Sequence, residues 1–298
     1  MSKILIVGSG GREHALAWRC TSEGHEVVAT PGSDGIARLA GARCVGVAES
    51  DHPGVVALAR SEAVDLVIVG PEAPLVAGLA DALRAAGVAT IGPGAAAAEL
   101  EGSKAVAKQF MVRHGIPTAR HVTVDSLEAG LAALGEFVEI GPPVVKASGL
   151  AAGKGVVVAE TMAEAEEALR ECFAGRFGAA GAEVVLEQRL RGREASFFVL
   201  TDGTHAATFE ACQDHKRIGE GDTGPNTGGM GAYCPAPIVD EAVRAKVMER
   251  IVAPTLAGLR EEGRPFVGVL FVGLMIDAGE PSVIEYNVRF GDPEVQPL

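Results

Sequence analysis

Residues 3–20 read KILIVGSGGREHALAWRC, and this stretch decides the fold. Lys3-Ile-Leu-Ile-Val7 is short and apolar and runs straight into glycine, the pattern of a strand buried on both faces of a parallel sheet. Gly8-Ser-Gly-Gly11 supplies a tight turn, and a helix follows from about Arg12 to Cys20. Working outward, strands are expected near 25–29, 44–47, 65–69 and 88–91, with helices over 53–60 and 74–86. Strands alternating with helices predict a right-handed, doubly wound parallel sheet over about residues 1–95.

Gly92-Pro-Gly94 and the alanines behind it read as a linker into something different. A helix over 103–114 stops at Gly115 with Pro117 just beyond. From 143 the alternation gives way to hairpins. Strands at 144–147 and 156–159 flank a glycine loop. A helix at 162–174 precedes strands at 184–187, 195–200 and 205–210, with Asp202-Gly203 as the turn between the last two. Residues 211–237 form a polar, glycine-rich loop long enough to signal function. A helix over 240–262 leads to two closing strands, 266–276 and 282–289. The second unit is therefore α+β and mostly antiparallel.

The 298 residues carry a formal charge of −13 and a pI near 5.0, which argues against a protein that coats nucleic acid with a basic face. A small anionic ligand stays allowed, because a local patch can be positive on an acidic protein. No apolar run is long and uninterrupted enough to span a membrane, and the start of the chain lacks the features of a signal peptide. Five scattered cysteines with no CxxC spacing suit a reduced, cytoplasmic protein without a cysteine metal site.

Four constellations carry chemistry. Gly8-Ser-Gly-Gly11-Arg-Glu13 lies where a dinucleotide fingerprint would lie, but Glu13 replaces the third glycine and no acidic residue ends the second strand, so NAD is disfavoured. An anion site at the helix start and a plain tight turn both remain open there. Glu72, after the fourth strand, faces the same crevice or complements a helix dipole. Lys146-Ala-Ser-Gly-Leu-Ala-Ala-Gly-Lys-Gly155 is not a Walker A loop, since it leads into a strand. It reads as a phosphate-covering flap, with Gly149, Gly153 and Gly155 freeing backbone amides and Lys146 and Lys154 supplying charge. Glu187-Gln-Arg-Leu190 with Glu194 offers backbone groups to a purine edge and a carboxylate to a ribose, or is an exposed acidic turn. Alternation puts Glu285, Asn287 and Arg289 on one face of the last strand. That suits Mg²⁺ beside a developing anion, or a solvated edge. Asp214, His215, Lys216 and Arg217 load the long loop with potential ligands; for His215 a structural role outweighs that of a general base.

Together these stretches resemble the glycinamide ribonucleotide synthetases of the ATP-grasp superfamily. The resemblance rests on GSGGREHALAW (8–18), VGPEAPLV (69–76), EGSK (101–104), KASGLAAGKGV (146–156), QDHKR (213–217), DTGPNTGGMGAY (222–233) and RFGDPE (289–294), in family order. It implies an N-terminal substrate-binding domain over 1–100 and an ATP-grasp domain over 101–298, with a flap at about 120–190. It implies ligation of glycine to 5-phosphoribosylamine through glycyl phosphate, giving glycinamide ribonucleotide, ADP and phosphate in purine biosynthesis.

The resemblance also assigns roles. Lys104, Lys146, Gly149, Gly153, Lys154, Gly155, Glu187, Gln188, Leu190 and Glu194 would bind ATP. Glu285 and Asn287 would ligate Mg²⁺ or Mn²⁺, and Arg289 would stabilise the acyl phosphate. Gly10, Gly11, Glu72, Asp214, Lys216 and Arg217 would hold phosphoribosylamine. The implied partners are small molecules, not nucleic acid or membrane, with a monomer or weak homodimer in the cytoplasm. Ser148, Gln188 and Val288 stand where bacterial members commonly show Asp, Glu and Cys, and none of the three removes a phosphate or metal ligand. The family continues past the RFGDPE signature, so Leu298 marks an expected truncation. The competing readings are another ATP-grasp ligase, an NAD(P) oxidoreductase, and a nucleotide-binding fragment without turnover.

Overall fold

The computed structural model describes residues 1–151, 155–221 and 223–298. The opening strand β1 (Lys3–Gly8) is buried from Ile4 onward and sits at the centre of a five-stranded sheet. Around it lie β2 (Glu26–Pro31), β3 (Ala42–Cys44), β4 (Leu66–Val69) and β5 (Thr90–Ile91), all parallel, in the order β3-β2-β1-β4-β5. The chain reverses its direction of winding between β1 and β4, which opens a crevice at the carboxyl ends of those strands. Helix α1 (Gly11–Ser22) starts at that crevice.

The other helices of this half are α2 (Asp34–Ala37), α3 (His52–Ser61), α4 (Glu72–Val76) and α5 (Leu79–Ala85). The single helix expected over 74–86 is thus two, divided at Gly78, whose φ of +90° lies in the left-handed region. The expected linker at 92–94 is no linker either. Helix α6 (Ala95–Gly102) begins at once, and its Ala97, Ala98 and Leu100 join the main core. Helix α7 (Lys104–Arg113) follows after Ser103, which caps it by accepting from the Val106 amide.

The flap region is a separate antiparallel sheet. Its strands β6 (His121–Val124), β7 (Val144–Ala147), β8 (Val156–Val158) and β9 (Val184–Glu187) take the order β6-β9-β7-β8. Helices α8 (Leu127–Ala133) and α9 (Met162–Phe173) cover it and enclose a small core around Phe137, Val145, Leu169 and Leu186. Strand β6 and helix α8 are elements that the sequence reading passed over.

The third sheet contains β10 (Arg193–Thr201), β11 (Ala206–Thr208), β16 (Gly268–Asp277) and β17 (Glu280–Asn287), in the order β11-β10-β16-β17. Residues 211–237 are more ordered than a loop. Strand β12 (Gln213–Asp214) pairs with β15 (Ala232–Tyr233), and β13 (Arg217–Gly219) pairs with β14 (Thr223–Asn226). The helix expected over 240–262 runs without interruption as α10 (Glu241–Val247), a π-helical turn over Met248–Val252 and α11 (Ala253–Glu261). Pro254, at the start of α11, has no amide to donate to the preceding turn, which accounts for the wider π turn there.

One core unites the first and third sheets: Leu5, Val7 and Leu75 pack in the same cluster as Phe197, Leu270 and Val272. Gly268 approaches the Gly92 backbone so closely that a Cβ there would overlap it. Burial of this continuous apolar surface holds the crevice of the parallel sheet against the edge strand β17. Among the described residues, no helix is long and apolar enough to cross a membrane.

Candidate active site

The crevice explains why the sixth position of the glycine turn is Glu13. Its carboxylate folds back to accept from the Gly10 amide at 2.6 Å and from Arg12 Nε at 2.5 Å. A Cβ at Gly8 or Gly70 would overlap this carboxylate, so the glycine that ends β1 and the one that follows β4 leave room for an acid where a pyrophosphate would otherwise approach. Gly10 and Gly11 lie at the start of α1 as expected. Asp292 also lies there: its Oδ2 accepts from the Arg12 amide at 3.4 Å, and Gln296 Nε2 donates to its Oδ1 at 2.7 Å. The RFGDPE turn therefore seals against the amino end of α1, and a carboxylate already faces those amides.

Arg289 stands at the next level. Its Nε donates to Glu72 Oε2 at 3.1 Å and its Nη2 to Glu101 Oε1 at 2.7 Å. Burial pushes Glu72 up, but Arg289 and the helix-start amide outweigh it and hold the carboxyl below its usual range. Glu101 is 9 % exposed, and burial raises it to about 7 despite Arg289. Asn287 Oδ1 lies 3.4 Å from Arg289 Nη2.

Around Glu285, groups from three segments converge. Burial would raise its carboxyl, but Lys216, Lys146, Lys104 and Arg289 together hold it below the usual range. Lys216 Nζ donates to Glu194 Oε2 at 3.1 Å and lies 3.9 Å from Asp214. Burial works to lower the ammonium, yet Glu194, Asp214 and Glu285 raise it. Glu194, Asp214, Lys216 and Glu285 line one pocket. Lys104 Nζ reaches the Gly149 carbonyl at 3.4 Å, and Gly149 packs against the Ala180 backbone with no space for a Cβ.

Lys146 and Glu187 meet at 3.0 Å, with Lys108 on the same carboxylate oxygen at 3.0 Å. Burial lowers Lys108 to about 8, against the pull of Glu187. Burial pushes Glu187 up, but Lys146 and Lys108 hold it below the usual range, and its Oε1 has no partner among the described residues. Gln188 and Leu190 follow in the extended exit from β9, where the Gln188 amide donates to the Arg120 carbonyl.

The expected sites are thus assembled in part. Lys104, Lys146, Glu187, Glu194, Asp214, Lys216, Glu285, Asn287 and Arg289 form one continuous polar region, and Glu72 joins it through Arg289. Asp214 and Lys216 face Glu285 and Glu194 rather than sharing contacts with Gly10 and Gly11. Arg217 points elsewhere: its Nη1 donates to the Gly224 carbonyl, and its charge acts on Glu160 in the flap region. Gly155 ends the glycine loop, its carbonyl accepting from the Ala147 amide. Gly153 and Lys154 lie outside the described residues.

The sequence reading missed Glu101, Lys108 and Asp292. Lys108 was within reach, because it follows Lys104 by four residues and shares its helix face.

Glu285 and Asn287 offer two oxygen donors from one strand face, with Glu285 kept ionised by its neighbours. Two protein oxygens fit a hard divalent cation that fills its other positions with water and phosphate oxygens.

Comparison with known proteins adds independent findings. The family described as "Phosphoribosylglycinamide synthetase, ATP-grasp (A) domain" matches residues 102–295, and the corresponding N domain matches residues 2–101. A phosphoribosylamine–glycine ligase of Xanthomonas campestris is 56 % identical over 300 residues, covering 99 % of this chain and 69 % of the relative. One from Escherichia coli is 52 % identical, over 99 % of this chain and 70 % of its own length. The crystal structure of phosphoribosylamine–glycine ligase from Thermotoga maritima superimposes with a TM-score of 0.86 at 33 % identity, covering 99 % of this chain and 70 % of that one. The ADP complex of an N5-carboxyaminoimidazole ribonucleotide synthetase, at 22 % identity and a TM-score of 0.69 over 98 % of this chain and 71 % of that one, shares the fold.

Proposed function

The chain belongs to the phosphoribosylglycinamide synthetase family, and from that premise we propose how its own residues divide the ligation. The reaction is the phosphoribosylamine–glycine ligase step of purine biosynthesis, which forms glycinamide ribonucleotide. In the proposed course, ATP phosphorylates the glycine carboxylate. The amine of 5-phosphoribosylamine then attacks glycyl phosphate, leaving ADP and phosphate.

The observation that carries this reading is the field around Glu285. Three lysines from separate segments, Lys104, Lys146 and Lys216, act on one carboxylate together with Arg289. Cations that converge from separate segments on one site suit a polyphosphate. Lys104, Lys146 and the 149–155 loop bind the ATP phosphates. Glu187, Gln188 and Leu190 frame the adenine, and Glu194 takes the ribose. Arg289 faces the charge that develops on the acyl phosphate. Gly10, Gly11 and Glu72 hold phosphoribosylamine, with Asp214 and Lys216 bordering both substrates; Arg217 belongs to this group by family pattern alone. Mg²⁺ or Mn²⁺ on Glu285 and Asn287 supplies neutralisation of phosphate charge.

Residues 1–100 serve as the substrate domain and 101–298 as the ATP-grasp domain, with the flap at about 120–190. The family likeness supports small-molecule partners; a cytoplasmic location and a monomer or weak homodimer complete the proposal. The test is phosphate release with each substrate omitted in turn. Release must require ATP, glycine and phosphoribosylamine together, and Glu285→Ala must abolish it. Release independent of glycine refutes the reading, and full activity of the variant refutes the metal role.

A further inference from the structure

We propose that Glu101 is the positioning residue for Arg289, a role that rests on the reading of Arg289 as the group facing the acyl phosphate. Glu101 lies in the last turn of α6, at the head of the EGSK stretch, and carries no ligand role in the reading above. Its two oxygens do two jobs. Oε1 accepts from Arg289 Nη2 at 2.7 Å, and Oε2 accepts from the Val288 amide at 2.7 Å. One carboxylate therefore fixes the main chain just beyond β17 and the side chain that follows it.

Guanidinium geometry makes this decisive. The group is planar, with five donors in a rigid fork. Arg289 Nε is held by Glu72 and Nη2 by Glu101, while Nη1 donates to the Phe290 carbonyl at 3.3 Å. Two carboxylates from different elements, each on its own nitrogen, set both the position and the plane of the fork. They differ in permanence. The Glu72 side chain is 26 % exposed, within reach of a ligand, whereas the Glu101 side chain is 8 % exposed. Glu72 is the exchangeable partner, and Glu101 is the anchor that stays when Glu72 turns to a substrate. Holding the fork in advance removes the cost of orienting it during the reaction.

A merely structural tie between α6 and β17 predicts something different, and a mutant cycle separates the two. Glu101→Gln keeps an acceptor for the Val288 amide while discarding the charge that holds Arg289. The expected result is a cooperative melt no lower than wild type, a KM for ATP within about twofold, and a kcat lowered about tenfold or more. In an Arg289→Lys background, where no fork remains to be oriented, Glu101→Gln should change kcat by less than about twofold. A wild-type kcat for Glu101→Gln overturns the proposal, as does a fully multiplicative loss in the double variant. Should Glu101→Gln fail to fold, Glu101→Asp, which keeps the charge but cannot span both partners, enters the same cycle with the same criteria. Wild-type kcat in Arg289→Lys alone is a distinct result: it removes the catalytic reading of Arg289, and Glu101's role with it.

Discussion

Arg289 Nε and Glu72 Oε2 meet at 3.1 Å although 217 positions separate them in the chain. This contact ties the parallel sheet, which offers the crevice, to the strand that carries Glu285 and Asn287. In the proposed course the amine is held in one half and the acyl phosphate forms in the other, and this ion pair joins the two halves.

Glu72→Gln is accordingly expected to weaken phosphoribosylamine binding. A hydrogen bond to a charged group is worth about 1.5–3 kcal/mol, so its KM should rise about tenfold or more while the KM for ATP stays within about twofold. Steady-state kinetics with each substrate varied checks this. Equal rises in both constants would remove Glu72 from substrate binding.

Glu187→Ala should be costly to the fold. It strands Lys108 and Lys146, both buried, without the carboxylate they share. Removing one member of a buried charge cluster costs about 3–5 kcal/mol, readable as a lower urea midpoint. The loss should shrink at pH 9.5, because Lys108 titrates at about 8 and a neutral amine needs no counter-ion. A loss that does not change with pH would contradict the buried-cation account.

Glu101 predicts a pH dependence of opposite sign to that of an ordinary paired carboxylate. Burial raises its folded-state value to about 7 from 4.5. Between those values the folded state binds the extra proton, so this group lowers stability as pH rises from about 4.5 through 7, by up to about 3 kcal/mol. Glu101→Gln mimics the protonated acid. Its melting temperature should match wild type near pH 4.5 and exceed it at pH 8. A variant less stable than wild type at pH 8 would show that the ionised form stabilises the fold.

Ser148 is a capping residue at a distance. Its hydroxyl accepts from the Ala105 amide at 3.1 Å and lies 3.1 Å from the Ser103 hydroxyl, at the start of the helix that carries Lys104. Ser148→Ala should cost about 1 kcal/mol in chemical denaturation. Ser148→Asp should retain the cap, since an acid also accepts there and suits the helix dipole. An unchanged midpoint for Ser148→Ala would show that water replaces the bond.

Much of this was legible in the sequence. The strand, turn and helix over residues 3–20, the lysine-flanked glycine loop and the Glu285-Asn287-Arg289 face are each built from neighbours along the chain. Period and spacing report such features directly. The errors arose where local pattern yields to packing. The alanines after Gly94 read as a linker because no polar face marks them, yet α6 is buried on several sides. The 74–86 helix breaks where Gly78 adopts a left-handed φ, whereas the 240–262 helix only widens to a π turn before Pro254.

The sequence by itself determined the order of the elements, the glycine-lined turns and which residues bear charge, because these depend on backbone sterics and side-chain chemistry within a few residues. It also disfavoured a dinucleotide site at Glu13. Only the tertiary structure decided which charges meet: Glu72 and Glu101 on Arg289, Lys108 and Lys146 on Glu187, Asp292 at the amides of α1, and Arg217 turned away. These pairs are 41 to 280 positions apart apart from local neighbours such as Arg217 and Gly224. Their energies depend on burial, and burial exists only once the shared core of Leu5, Val7, Phe197 and Val272 has closed the first and third sheets together.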